Sequence, residues 1–170
     1  MNIRPETEAY HASIKNVNDQ AFREPVEATL VATIRATDRF IPELSLLAEI
    51  EGAVVGHVLL SYVDIEPGPH RVLQLGPLAV LPSHQRRGIG SALMREAIRL
   101  ADERGEPLIL IEGNPRYYGR FGFARADESG IDPPPQAHGA QYFMMRPLGA
   151  YDPALRGRAV YPPETFGTLT

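Results

Sequence analysis

The sequence predicts an α/β (α+β) fold, and three observations carry that reading. Val72 to Val80, a run from about Ile89 to Arg104, and Leu108 to Ile111 read as strand, helix and strand in succession. A second extended pair, Ser45 to Ile50 and Ala53 to Tyr62, is joined by Glu51-Gly52 in the manner of a hairpin. Two stretches of helical periodicity precede both. At 170 residues the chain fits one domain, 1–170, with a core of real size.

In chain order, Asn2-Ile3-Arg4 is a short extended entry, followed by a helix from about Thr7 to Ala21. A second helix is predicted from Pro25 to Ala36. Proline suits its first turn, and Val26, Leu30, Val31 and Ile34 recur at helical spacing. After the hairpin, Pro67-Gly68-Pro69 breaks the chain, and Gly76-Pro77 predicts a bulge within Val72–Val80. In the next helix Ile89, Leu93, Ala97 and Leu100 share one face, and Gly105 is placed to end it. Leu108–Ile111 is wholly apolar, as in a buried strand flanked by parallel neighbours, and the crossover before it should be right-handed. Pro133-Pro134-Pro135 marks a loop, and Gln141 to Arg146 a further strand. Residues 148–170 carry Pro and Gly with weak periodicity, which predicts an irregular tail packed on the domain.

Composition narrows the function classes. With 17 basic and 21 acidic side chains the net charge is -4, which disfavours a nucleic-acid partner, since neutralising phosphates needs surplus Lys and Arg. There are no cysteines, which excludes disulfides, thiolate metal sites and a cysteine nucleophile. His11, His57, His70, His84 and His138 are scattered without metal-ligand spacing, so no metal is expected. No segment approaches the roughly 20 apolar residues that span a bilayer, and Met1–Glu6 does not resemble a signal peptide. The reading is a cytoplasmic protein without a membrane partner.

The chemistry concentrates at Leu78-Ala79-Val80-Leu81-Pro82-Ser83-His84-Gln85-Arg86-Arg87-Gly88-Ile89-Gly90-Ser91, a strand, a tight turn and a helix start. Glycines there let a phosphate approach successive backbone N–H groups. The helix N-terminus adds unsatisfied donors and a positive dipole end, typically worth about 0.3–1 kcal/mol for an anion. A Walker loop would need a Gly-Lys-Ser/Thr triplet, which is absent. A dinucleotide fingerprint would need a small residue where Leu93 stands. A purely structural tight turn is the remaining alternative. Arg86, Arg87 and Arg95 cluster around it and offer positive charge, or simply solvated side chains.

Gln85-Arg86-Arg87-Gly88-Ile89-Gly90 resembles motif A of the GNAT acetyltransferase superfamily, Q/R-x-x-G-x-G/A. Tyr117-Tyr118-Gly119-Arg120-Phe121-Gly122-Phe123 resembles its F-Y-x-x-x-G-F motif, in the family order. The segment Gly113–Phe123 and the tail fragment Ala159-Val160-Tyr161-Pro162 look like the YhbS-like branch. The resemblance implies a mixed, splayed sheet flanked by helices, with a V-shaped cofactor gap between the fourth and fifth strands. It implies acetyl-CoA as acyl donor, with pantetheine gripped by the backbone of Leu78, Ala79 and Val80. The pyrophosphate would lie on Gln85, Arg86, Arg87, Gly88, Ile89, Gly90 and Ser91, with Asn114 also touching the cofactor.

The implied reaction is attack by a primary amine of a small molecule or peptide on the thioester. Tyr118 aligns with the tyrosine that serves as the acid, while Tyr117 matches an aromatic packing position. In the usual pattern several helical residues separate an Asn from the F-Y pair. Here Asn114 is only four residues before Tyr118, with Pro115 between, so the helix must be short. For the base, Glu112 at the end of its strand is the first candidate and Glu27 and Glu43 are alternatives, each of which also reads as a solvated or ion-paired carboxylate. An acyl-CoA-binding regulatory module with little turnover stays open as a second reading. Family members often pair, which allows a homodimer.

Overall fold

The computed structural model describes residues 1–166, which pack as two compact units. The first comprises Met1–Ser61 and Leu75–Leu100. Its strands are β1 (Asn2–Pro5), β2 (Phe40–Ile50), the first part of β3 (Ala53–Glu66) and the second part of β4 (His70–Val80). β1 pairs antiparallel with β2, and β2 antiparallel with β3. The hairpin turn has positive φ at both Glu51 (51°) and Gly52 (80°), the combination whose twist suits two right-twisted strands. β2 begins earlier than the sequence predicts. Its first residues include Pro42, and the register shifts between Phe40 and Ser45, so this stretch lacks the alternation that marks a strand.

Three helices belong to this unit: α1 (His11–Phe22), α2 (Val26–Arg35) and α3 (Ile89–Glu103), the last as far as Leu100. Ile14, Val17, Leu30, Val31 and Ile34 are buried, and Leu44–Ala48 of β2 is buried without a break, as befits a strand covered on both faces. The core contains polar groups that pair with one another. Glu6, with its side chain 2% exposed, takes Arg35 Nη2 at 2.5 Å. His57 sits fully buried between Ser45 Oγ (2.9 Å, at Nε2) and Asn18 Nδ2 (3.3 Å, at Nδ1).

The second unit comprises Tyr62–Gln74 and the described chain from Ala101 onward. It holds β5 (Leu108–Glu112), the short helix α4 (Pro115–Tyr118), β6 (Ala124–Arg125), β7 (Ile131–Asp132), β8 (Phe143–Pro147) and β9 (Gly157–Val160). The strand order β1-β2-β3-β4-β5-β8-β6 is that of an open mixed sheet. The parallel ladder of β4 with β5 consists of Leu73↔Ile109 and Gln74↔Leu110. β5 runs antiparallel to β8 on its other side, over five residue pairs from Leu108↔Pro147 to Glu112↔Phe143. The expectation of parallel neighbours on both sides is therefore corrected: an unbroken apolar run reports burial, not strand direction.

β4 runs through Gly76-Pro77 as one strand, and its ladder with β5 consists of pairs that precede this dipeptide. The tail is more regular than its composition suggests. β9 pairs antiparallel with the end of β3 (Asp64↔Val160, Glu66↔Arg158) and parallel with β7. Residues 167–170 of the expected irregular tail lie outside the described residues.

Candidate active site

In the first unit, β4 delivers the chain to the phosphate-type turn. Leu78 and Val80 are half-buried and Ala79 is buried. Leu81 N donates to Val55 O (2.9 Å), which fixes where the strand ends. Gln85 Nε2 donates to Val80 O (3.0 Å), so this side chain closes the turn on itself. Arg86 (φ 63°) and Gly88 (φ 81°) both adopt left-handed backbone conformations. A Cβ on Gly88 would meet nothing within 4 Å. Glycine there serves the backbone angle, and it leaves the N–H groups uncovered.

Ala92 N donates to Gly88 O (3.0 Å), the first bond of α3. Among the described residues the backbone amides from Arg86 to Ser91 have no backbone acceptor, as the opening of a helix requires. Arg86 and Arg87 are exposed and make no ion pair among the described residues. Successive free amides, a helix N-terminus and two unpaired guanidinium groups fit a multiply charged anion such as a pyrophosphate.

In the second unit, the acid and base candidates stand close together at the end of β5. Asn114 Oδ1 accepts from Arg116 N (3.0 Å) and caps α4, with Pro115 in its first turn. This is how the Asn-to-Tyr interval contracts: a capped, four-residue helix replaces a longer one. α4 sets the Tyr118 ring directly over Gly113, where an added Cβ would run into Tyr118 Cε2. Tyr117 packs edge-on against Tyr118 (4.9 Å between centroids), with Arg120 over its own ring at 4.7 Å. Phe123 completes the packing round Tyr118 (6.1 Å). Burial first, and the neighbouring Tyr117 second, push the Tyr118 phenol up to about 12. Its hydroxyl accepts no hydrogen bond and donates none among the described residues.

Glu112 is more engaged than the sequence suggests. Its Oε1 accepts from His138 N (2.8 Å) and lies 2.6 Å from His138 Nδ1. Tyr161 OH donates to its Oε2 (3.4 Å), and Gln74 Nε2 donates to Tyr161 OH (3.3 Å). His138, Tyr161 and Gln74 are not singled out by sequence reasoning, because they come from a loop, the tail and a distant strand with no common spacing. Tyr161 lies inside the tail fragment that marks the branch, the one signal that points to it. Glu27, in the first turn of α2, and Glu43, exposed on β2, belong to the first unit. A groove of about 560 Å³ between α1 and α2 is lined by none of the predicted cofactor residues. Among the described residues no group of three or more His, Asp or Glu side chains could hold a metal ion, and no helix is long and apolar enough to cross a membrane.

Residues 11–123 match the acetyltransferase (GNAT) family. The uncharacterised N-acetyltransferase YjhQ of Escherichia coli (strain K12) is 36% identical over 94% of this chain and 91% of its own length. Among solved structures, the GNAT family N-acetyltransferase YhbS from Escherichia coli, in complex with CoA, matches with a TM-score of 0.86 and 25% identity, over 96% of this chain and 90% of that one. A GNAT family acetyltransferase from Brucella melitensis, in complex with acetyl-CoA, matches with a TM-score of 0.78 and 30% identity over 96% of both chains. The matched span contains the Gln85–Gly90 turn and the Tyr117–Phe123 segment alike, and the chain belongs to the GNAT acetyltransferase family.

Proposed function

We propose that the chain is an acyl-CoA-dependent N-acyltransferase that moves the acetyl group of acetyl-CoA to a primary amine of a small molecule or peptide. The observation that carries this reading is the run of free amides from Arg86 to Ser91, whose first two residues are unpaired arginines. The CoA and acetyl-CoA complexes of two neighbours in the same family support it.

In this reading the pyrophosphate lies against the Arg86–Ser91 amides, with Gln85 keeping the turn closed and Leu78–Val80 meeting the pantetheine arm. The neutral amine attacks the thioester carbonyl carbon, the C–N bond forms and the carbonyl oxygen takes up negative charge. The C–S bond then breaks and the electron pair leaves on sulfur. Tyr118 directs its hydroxyl hydrogen at that sulfur, and the proton lost by the nitrogen passes to the Glu112 cluster. Positioning and charge stabilisation supply the rate, without a covalent acyl-enzyme.

Calorimetry with acetyl-CoA tests the reading on the wild type and on a Gly88→Arg/Gly90→Arg double variant. Binding by the wild type, abolished in a variant that still melts cooperatively, supports the pyrophosphate site. A wild type that shows no binding of acetyl-CoA overturns the assignment.

A further inference from the structure

The Glu112 carboxylate has both oxygens occupied, and the pattern of occupation says which atom is free to take a proton. Oε1 receives the backbone N–H of His138 (2.8 Å) and faces Nδ1 of the same residue (2.6 Å). An ionised carboxylate only accepts, so Nδ1 must carry the hydrogen of the neutral ring. The lone pair is then on Nε2. The His138 side chain is 85% exposed against 20% for Glu112, so Nε2 is open to an incoming molecule while the carboxylate lies behind it.

The other oxygen is anchored from the interior. Tyr161 is 7% exposed and Gln74 3%. Burial first, and the Glu112 charge second, hold the Tyr161 phenol well above its usual range, so it remains a donor. Gln74 Nε2 donates to that hydroxyl, which fixes the direction of its hydrogen towards Glu112 Oε2. The chain of donors runs from the buried amide through the phenol to the carboxylate, and the exposed imidazole closes it from the other side. Glu112 is followed by Gly113, against which the Tyr118 ring packs. Proton donor and proton acceptor thus flank one residue at the end of β5.

We infer that His138, through Nε2, is the general base that removes the proton from the acceptor amine, with Glu112 as the positioning residue that sets its tautomer. The inference rests on the acetyl transfer proposed above and deepens it. In the step, the amine N–H bond breaks and an Nε2–H bond forms. The Nδ1–H···Oε1 hydrogen bond to the carboxylate then gains an ionised donor as well, and becomes an imidazolium–carboxylate pair. The proton leaves to solvent from an exposed ring. Glu112 itself lies behind the ring, with most of its acceptor positions taken by His138 and Tyr161, so an incoming amine meets Nε2 first.

The test uses the full chain with acetyl-CoA and ethanolamine, putrescine, spermidine and a peptide with a free N-terminus as amines. His138→Asn keeps a side-chain N–H where Nδ1–H stands but has no base, and His138→Ala removes both. The expected result is a fall in kcat of about 100-fold in both variants, with KM for acetyl-CoA within twofold, and partial recovery of His138→Ala by added imidazole. Nitrogen-15 spectra of the wild-type ring should show the Nδ1–H tautomer, and Glu112→Gln should mix the tautomers. A His138→Asn variant with wild-type kcat, or an Nε2–H tautomer in the wild type, overturns the inference and leaves acetyl transfer intact. A wild type that binds acetyl-CoA but acetylates none of the amines overturns the reaction and the base with it.

Discussion

A phenol pushed up to about 12 keeps its proton at every pH at which an amine acceptor titrates. Full transfer to a thiolate of ordinary cysteine basicity would then run uphill by roughly 5 kcal/mol. In the proposed reaction Tyr118 would therefore serve as a hydrogen-bond donor that stabilises charge growing on sulfur, with solvent completing the protonation. Tyr118→Phe should lower kcat by about 10- to 100-fold and change the acetyl-CoA dissociation constant by less than twofold. Unaltered turnover in steady-state assays would remove Tyr118 from the chemistry. This residue was legible as a candidate because a local motif carries it. His138 was not, because its partner Glu112 is 26 positions away and only the fold makes them neighbours.

At the scale of elements, the departure from the usual Asn-to-Tyr spacing turns out to be a helix start in its own right. Asn-Pro is a cap followed by the residue best suited to a first helical position, and Asn114 Oδ1 accepts from Arg116 N accordingly. Asn114→Ala should cost about 1 kcal/mol in denaturant unfolding, while Asn114→Asp should cost a few tenths at most; equal losses in the two would refute the cap. α1, α2 and α3 were legible because apolar spacing repeats over three or four turns. β9 was not: its four residues become a strand only through β3 and β7, and a short ladder leaves no periodic trace. The direction of β5's second neighbour was hidden for a related reason, since β8 reaches it after a long irregular excursion.

For the molecule as a whole, His57 ties stability to pH. Burial first, with Arg35 adding to it and Glu6 opposing, lowers its pKa from 6.5 to about 4. Above pH 6.5 both folded and unfolded chains hold it neutral, and it contributes no pH dependence. Between 6.5 and 4 the unfolded chain takes up a proton that the fold refuses, so stability falls as pH falls, by on the order of 3 kcal/mol. Urea unfolding at pH 7, 5.5 and 4.5 should show this decline, and His57→Gln should flatten it; parallel curves would show that His57 is not the group responsible. The left-handed Arg86 bears on the same balance from the opposite side. An L-residue there carries roughly 1–2 kcal/mol of steric strain, and glycine would relieve it while adding about 0.4–1 kcal/mol of unfolded-chain entropy. Arg86→Gly should therefore melt no lower than the wild type and yet bind acetyl-CoA several-fold more weakly, which calorimetry and thermal melts can compare directly. A laboratory selection for thermal robustness alone would drift towards glycine at this position, and the lineage it produced would be sturdier proteins with a slackened hold on their acyl donor.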